Sequence, residues 1–251
     1  MSPTTCIRDV DWLVGWDGSQ HVYLRNSDLV FNGSDIIFVG DRYIDQVEIE
    51  LSGKNCMIIP GLINIHAHPT TEPIRKGITD ETQSPGFWHS SLYEHLPVFD
   101  PVDDQGRLSC LKVALSELLL SGVTTLVDLS SPFEGWVETL FDSGIRGFVA
   151  PGFRDARWFT TNGHSLEYDW DIDAGHKAFS IAQKIIKLAV NHPSGRMSAV
   201  VAPSQVDTCS ESLLRDSHAF AQDHNLSWTI HAAQSVTEFH EMQHRHGMTS
   251  I

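Results

Sequence analysis

Two histidines one residue apart close the apolar run "MIIPGLINIHAHPTT", Met57 to Thr71. Strand side chains alternate faces with period two, so His66 and His68 leave the end of a strand on the same side. A lone His-x-His is usually structural, but a strand terminus followed by a long loop is a place for chemistry. His231 ends a later apolar strand, "LSWTIHAA", in the same way. Three neutral imidazoles converging on a divalent cation, with one position left open for water, make a hydrolytic centre. Such an ion lowers the pKa of water towards neutrality and polarises the bond to be cleaved. Other candidates read more plainly. His240 and His244 in "FHEMQHRHG" lie one helical turn apart, but no third ligand points to them, and a solvated helix face accounts for both. Asp128, ending "VTTLVDLS", reads as a structural hydrogen-bond acceptor rather than an acid catalyst.

The elements that must position these residues change character along the chain. Residues 1–58 hold short alternating strands ("HVYLRNSDLVF", "DIIFVG", "QVEIEL") separated by Asn-Gly-Ser and Gly-Asp turns, a small β unit without a helix. From residue 59 to 251 strands alternate with helices. The strand of His66 and His68 is followed by an irregular segment, Pro69 to Pro101, and by a helix over "DDQGRLSCLKVALSELLLSG" stopping at Gly122. Then come the strand "VTTLVDLS", a helix closed by Gly144, the strand "IRGFVAPGF", a loop and the helix "DAGHKAFSIAQKIIKLAVNH". The strand "MSAVVAPSQ", a helix capped by Ser210, the strand of His231 and one more helix complete the chain. This alternation means βαβ units and a parallel sheet, as in a TIM-type barrel or a doubly wound fold. In a barrel, chemistry gathers at the C-terminal ends of the strands, where His68 and His231 sit. The long segment carries Arg75, Trp88, His89 and His95 over that mouth. Trp88 reads as a pocket wall or a loop anchor, and His89 and His95 as substrate contacts or exposed loop residues.

Composition narrows the partners. The net charge of −15 disfavours nucleic acid and anionic membrane surfaces, both of which would repel the chain. Cys6, Cys56, Cys110 and Cys209 have no paired spacing, as expected of reduced thiols rather than a disulfide framework. With no basic n-region ahead of an apolar stretch and no run of membrane-spanning length, a soluble cytoplasmic protein is expected, with a small-molecule substrate and homo-oligomer formation left open.

"PGLINIHAH" resembles the metal-binding strand of the amidohydrolase superfamily, in which Pro-Gly precedes an apolar strand ending in His-x-His. "SGVTTLVDLS", "VVAPSQVDTCSESLL" and "WTIHAAQSVTEF" are similar to the second, fourth and fifth barrel strands of its cytosine-deaminase-like and chlorohydrolase-like branch. "DIIFVG" ahead of "CMIIPG" resembles the flanking β-sandwich of that branch. The resemblance implies strands one to five of a (β/α)8 barrel after a composite β-sandwich segment. It implies one divalent metal, zinc or else iron, held by His66, His68 and His231. The implied activity is hydrolysis of carbon–nitrogen bonds other than peptide bonds, in a small cyclic or heterocyclic amine or amide.

Departures from the family pattern bear on the substrate. A further His and a metal-binding, proton-shuttling Asp are expected after strands six and eight, beyond Ile251, so one competing reading is a non-catalytic fragment with open barrel edges. Deaminase members carry Glu three residues after the fifth-strand His, where this chain has Gln234. An amide hydrogen-bonds a substrate but carries no proton at neutral pH. Deaminases also tend to show His after the fourth-strand Pro, where Ser204 follows Pro203. Gln234 is therefore expected to orient substrate, and hydrolysis of a carbon–halogen bond stands as the alternative activity.

Overall fold

The computed structural model describes residues 2–76, 93, 100, 103–162 and 165–251. Trp88, His89 and His95 lie outside the described residues. The chain divides into two compact units, Met1–Gly61 and Leu62–Ile251.

The first unit is all strand. One sheet has the order β5 (Asp35–Gly40), β4 (Ser27–Asn32), β1 (Thr4–Val10) and β6 (Ile49–Ser52). The other has β3 (His21–Leu24), β2 (Trp12–Trp16) and β7 (Met57–Ile58). Cys6, Val10, Leu13 and Val30 are buried. Asp28 is fully buried. Burial opposes its ionisation, but the Tyr43 N–H, Arg8 at 2.8 Å and the Asp9 N–H together hold its carboxyl below the usual range. The expected strand over "HVYLRNSDLVF" is two strands, because Asn26 takes a left-handed φ of 51° between them. The apolar run from Met57 is also divided: β7 pairs with β2, and after Pro60-Gly61 the chain begins β8 (Leu62–Ala67) in the second unit.

The second unit is a five-stranded parallel sheet, curled as half of a barrel. Its strands stand in chain order: β8, β9 (Val123–Asp128), β10 (Arg146–Val149) continued by β11 (Gly152–Phe153), β14 (Met197–Pro203) and β15 (Ser227–Trp228). Helices α2 (Asp104–Leu120), α3 (Trp136–Asp142), α4 (Ile172–Val190) and α5 (Glu211–Asp223) connect them, and α6 (Val236–His246) follows β15. Their starts are set by polar caps. Asp103 accepts from Gly106 N, Asp171 from Ala174 N, Ser210 from Leu213 N and Ser235 from Glu238 N. The irregular segment expected after His68 opens instead with a short helix, α1 (Glu72–Arg75). The loop expected before α4 contains an antiparallel hairpin, β12 (Ala156–Phe159) with β13 (Glu167–Trp170).

Two apolar clusters lie on opposite faces of the curled sheet. Leu126, Val149, Phe153, Ala199 and Val201 pack with the helices, whereas Val127, Leu129, Phe148, Ala150, Val200 and Ala202 pack with one another on the inner face. Alternation thus gives every strand residue one of two addresses, helix layer or lumen. Gly175 of α4 lies so close to the sheet that an added Cβ would be 2.2 Å from the Asp155 Cβ. No helix among the described residues is long and apolar enough to cross a membrane.

Candidate metal centre

His66 and His68 lie at the C-terminal end of β8, and His231, three residues beyond the two-residue strand β15, is held beside them by an isolated parallel bridge to Gln205. Ala67, between the first two, is buried in the helix-side cluster, so both neighbours face the lumen. His231 Nε2 lies 3.2 Å from His66 Nε2 and 3.3 Å from His68 Nε2. One nitrogen from each of the three rings lies within 4.8 Å of the others. Zinc–nitrogen bonds of about 2.0–2.1 Å at tetrahedral angles put ligand nitrogens about 3.3–3.4 Å apart. The two measured separations sit beside that value.

Hydrogen bonds decide which nitrogen each ring presents. His68 Nδ1 is 2.8 Å from the Leu129 carbonyl and His231 Nδ1 is 2.6 Å from the Ser204 carbonyl. A carbonyl only accepts, so both Nδ1 atoms carry the proton, and Nε2 is the atom each ring has left to offer a lone pair in its neutral form. Two lone pairs 3.3 Å apart repel; a shared cation turns that repulsion into two bonds. Burial pushes the His68 pKa down to about 4; the Leu129 carbonyl opposes this, while His231, His66 and Arg75 add to it. His66 is lowered too, by burial first and then by His231. Neutral, metal-ready imidazoles are therefore the ground state of His66 and His68 at neutral pH, and the donor set fits a divalent cation of zinc type.

The family model described as "Amidohydrolase family" matches residues 57–251, a span holding all three histidines. The chain belongs to the amidohydrolase family. Among curated relatives, a 5'-deoxyadenosine deaminase of Methanosphaera stadtmanae is 25% identical over 222 residues, covering 85% of this chain and 48% of the relative. A 5-methylthioadenosine/S-adenosylhomocysteine deaminase of Bacillus cereus is 26% identical over 242 residues, covering 92% and 51%. This amidohydrolase chain thus spans about half the length of the curated relatives it matches. Among solved structures, a zinc-bound adenosine deaminase of Xanthomonas campestris superposes with a TM-score of 0.78 at 17% identity, covering 98% of this chain and 53% of that one. The zinc complex of an atrazine chlorohydrolase from Arthrobacter aurescens gives 0.72 at 19%, covering 98% and 56%. At such identities these structures establish the shared fold.

Two buried carboxyls brace the amidohydrolase centre from behind. Asp128 faces the helix layer, where it accepts from Trp136 Nε1 at 2.7 Å and from the Ser130 hydroxyl, which itself receives the Thr70 hydroxyl at 3.1 Å. Leu129, whose carbonyl holds His68, lies between Asp128 and Ser130. Asp128 points away from the imidazoles and is a support, as its position in the sequence suggests. Glu238 is the residue that sequence reasoning missed. It is fully buried and accepts from Ala233 N at 2.6 Å, from Gln234 N at 3.1 Å and from the Ser250 hydroxyl. It thereby ties down the turn after His231, in which Ala233 has a left-handed φ of 56°. The signal was available: Ser235-x-x-Glu238 has the spacing of a capping box.

The remaining candidates are spread more widely. Gln234 is exposed, three residues beyond His231, and its side chain makes no hydrogen bond among the described residues. It lines an open groove of about 510 Å³ with Val236 and Phe239, a groove to which none of the three imidazoles contributes. His240 and His244 are exposed on α6, and no third ligand joins them among the described residues. Arg75 pairs with Asp100 at 2.6 Å.

Proposed function

We propose that this amidohydrolase is a metal-dependent hydrolase of carbon–nitrogen bonds other than peptide bonds, acting on a small cyclic or heterocyclic amine or amide. The observation that carries the reading is the convergence of three imidazole nitrogens at the lumen mouth, two of them committed by Nδ1–H donation to presenting Nε2. His66, His68 and His231 hold one divalent ion, zinc with iron as the alternative. An ion held there would supply Lewis acidity, the chemistry that makes water nucleophilic at neutral pH and a carbon electrophilic.

The chain's own residues fix the geometry. The Leu129 and Ser204 carbonyls set two imidazole tautomers, and Glu238 fixes the backbone from Ala233 to Gln234. Gln234 donates or accepts a hydrogen bond to orient substrate without moving a proton. The curated relatives named as deaminases support carbon–nitrogen hydrolysis. The first unit serves as the flanking β-sandwich segment.

A second reading, hydrolysis of a carbon–halogen bond, draws on Gln234, because displacement of a good leaving group needs no acid to protonate the ring. Zinc-reconstituted protein assayed for ammonia release from heterocyclic amines, and for halide release from their chlorinated counterparts, separates the two. Ammonia release lost on His231→Ala supports the main reading. Halide release alone supports the second, and neither product from wild type refutes both. Gln234→Glu should raise ammonia release from adenine-type rings, and efficient deamination of adenosine by wild type would refute the role given to Gln234.

A further inference from the structure

His231 sits three residues past the last strand of the sheet, so its place depends on the segment that follows the fourth strand. Its carbonyl accepts from Val206 N at 3.0 Å, its N–H donates to the Ser204 carbonyl at 3.3 Å, and its ring bonds to that same carbonyl. What holds residues 204–206 therefore holds the ligand. The next residue, Asp207, is fully buried in a single 3-10 turn, Val206–Thr208. Its Oδ2 accepts from Trp158 Nε1 and from Tyr168 OH, each at 2.8 Å, which fastens both strands of the β12–β13 hairpin to that turn.

Arg245 closes the arrangement from the other side. It lies near the C-terminal end of α6, roughly 14 Å along the helix from Val236. One guanidinium NH2 donates to the Asp207 carbonyl. The guanidinium carbon lies 5.2 Å from the Tyr168 ring centroid and 5.0 Å from that of Trp170, two rings on one face of β13. Its Nε stands 2.9 Å from Glu241 Oε1, one turn back on α6. The start of α6 is already joined to the turn after His231 through Glu238. The contacts form a closed circuit: His231, its turn, α6, Arg245, Asp207, Val206 and His231 again. A planar, permanently charged fork is the group that can serve a carbonyl, two ring faces and a carboxylate at once.

We propose that Arg245 is a positioning residue for the metal centre: by tying the far end of α6 to the hairpin and to the turn after the fourth strand, it fixes His231 where His66 and His68 can share a cation with it. This rests on the imidazole cluster being that centre. A merely structural arginine would lower the melting temperature when replaced and leave zinc affinity alone. The test is zinc affinity by chelator competition, at a temperature where circular dichroism shows each variant folded. Arg245→Met should bind zinc roughly 3- to 10-fold more weakly than wild type, less than the loss expected on removing a direct partner of a ligating histidine. Arg245→Lys keeps the charge over the rings but not the fork, and should fall between the two. Arg215→Met, which removes an exposed ion pair with Glu211 on α5, should leave the affinity unchanged. The visible absorption bands of the cobalt(II)-loaded protein should change in Arg245→Met and stay in place in Arg215→Met. Zinc affinity within about twofold of wild type in a folded Arg245→Met, or unchanged cobalt bands, overturns the proposal and leaves the metal-centre reading standing. If Arg245→Met does not fold, Arg245→Lys decides by the same criterion. Failure of the wild type to bind zinc removes that reading, and the proposal with it.

Discussion

Replacing Glu238 by Gln is the sharpest probe of how the turn after His231 is held. Each carboxylate oxygen receives a different backbone donor: Oε1 takes Ala233 N–H at 2.6 Å and Oε2 takes Gln234 N–H at 3.1 Å. An amide has one oxygen and one NH2 group, so it satisfies one donor and turns a second donor against the other. A hydrogen bond to a charged group contributes about 1.5–3 kcal/mol, and an orphaned buried donor costs about 1–3 kcal/mol. Glu238→Gln should therefore lose about 2–4 kcal/mol. Glu238→Ala, which strands both donors and leaves a cavity, should lose more, about 4–6 kcal/mol. Urea unfolding followed by circular dichroism reads both, through the midpoint at constant slope. A Gln variant within about 0.5 kcal/mol of wild type would show that Glu238 is an ordinary helix-start residue and that the turn stands without it.

Other expectations concern the supports behind the sheet. Burial raises the Asp128 pKa to about 7 from 3.8, against the pull of Ser130 and Trp136. The folded state thus keeps a proton that the unfolded chain has released, and stability drains away as pH rises from about 4 to about 7. Asp128→Asn should flatten that slope, gaining about 3–4 kcal/mol on wild type between pH 4 and pH 7.5 in unfolding titrations, and parallel pH profiles would contradict it. Gly175→Ala should gain up to about 1 kcal/mol of helix propensity but lose more to the 2.2 Å contact with Asp155. A raised melting temperature for that variant would show that α4 can shift outward at little cost.

Much of this was legible in the residues, and for stated reasons. Ser210 caps α5 as read, and Gly122 and Gly144 take left-handed φ values of 84° and 86° just beyond helix ends. The shared face of His66 and His68 followed from period-two alternation. Sequence reading failed where a single residue interrupts a pattern or where only pairing decides. Asn26 divides a run that alternates smoothly on paper, and Pro60-Gly61 splits one apolar stretch between two units. The hairpin of β12 and β13 lies where a loop is expected, because its strands are four residues each, the shortest run in which alternation can be read. That Asp128 faces the helix layer depends on the register of β8, β9 and β10, which no local pattern encodes. Trp88 and His89, expected to touch substrate, lie outside the described residues.

The central claim is that His66, His68 and His231 hold one divalent ion, and zinc binding to the apo-protein measures it directly. Titration with competing chelators, read alongside the thermal midpoint, should give one high-affinity zinc per chain. The midpoint should rise with free zinc, by about 2.7 kcal/mol of added stability at 100-fold excess over Kd. His66→Ala, His68→Ala and His231→Ala should each weaken zinc binding by at least tenfold, while His240→Ala on α6 leaves it unchanged. A wild-type protein that takes up no zinc or iron, or one whose affinity survives all three replacements, would contradict the account.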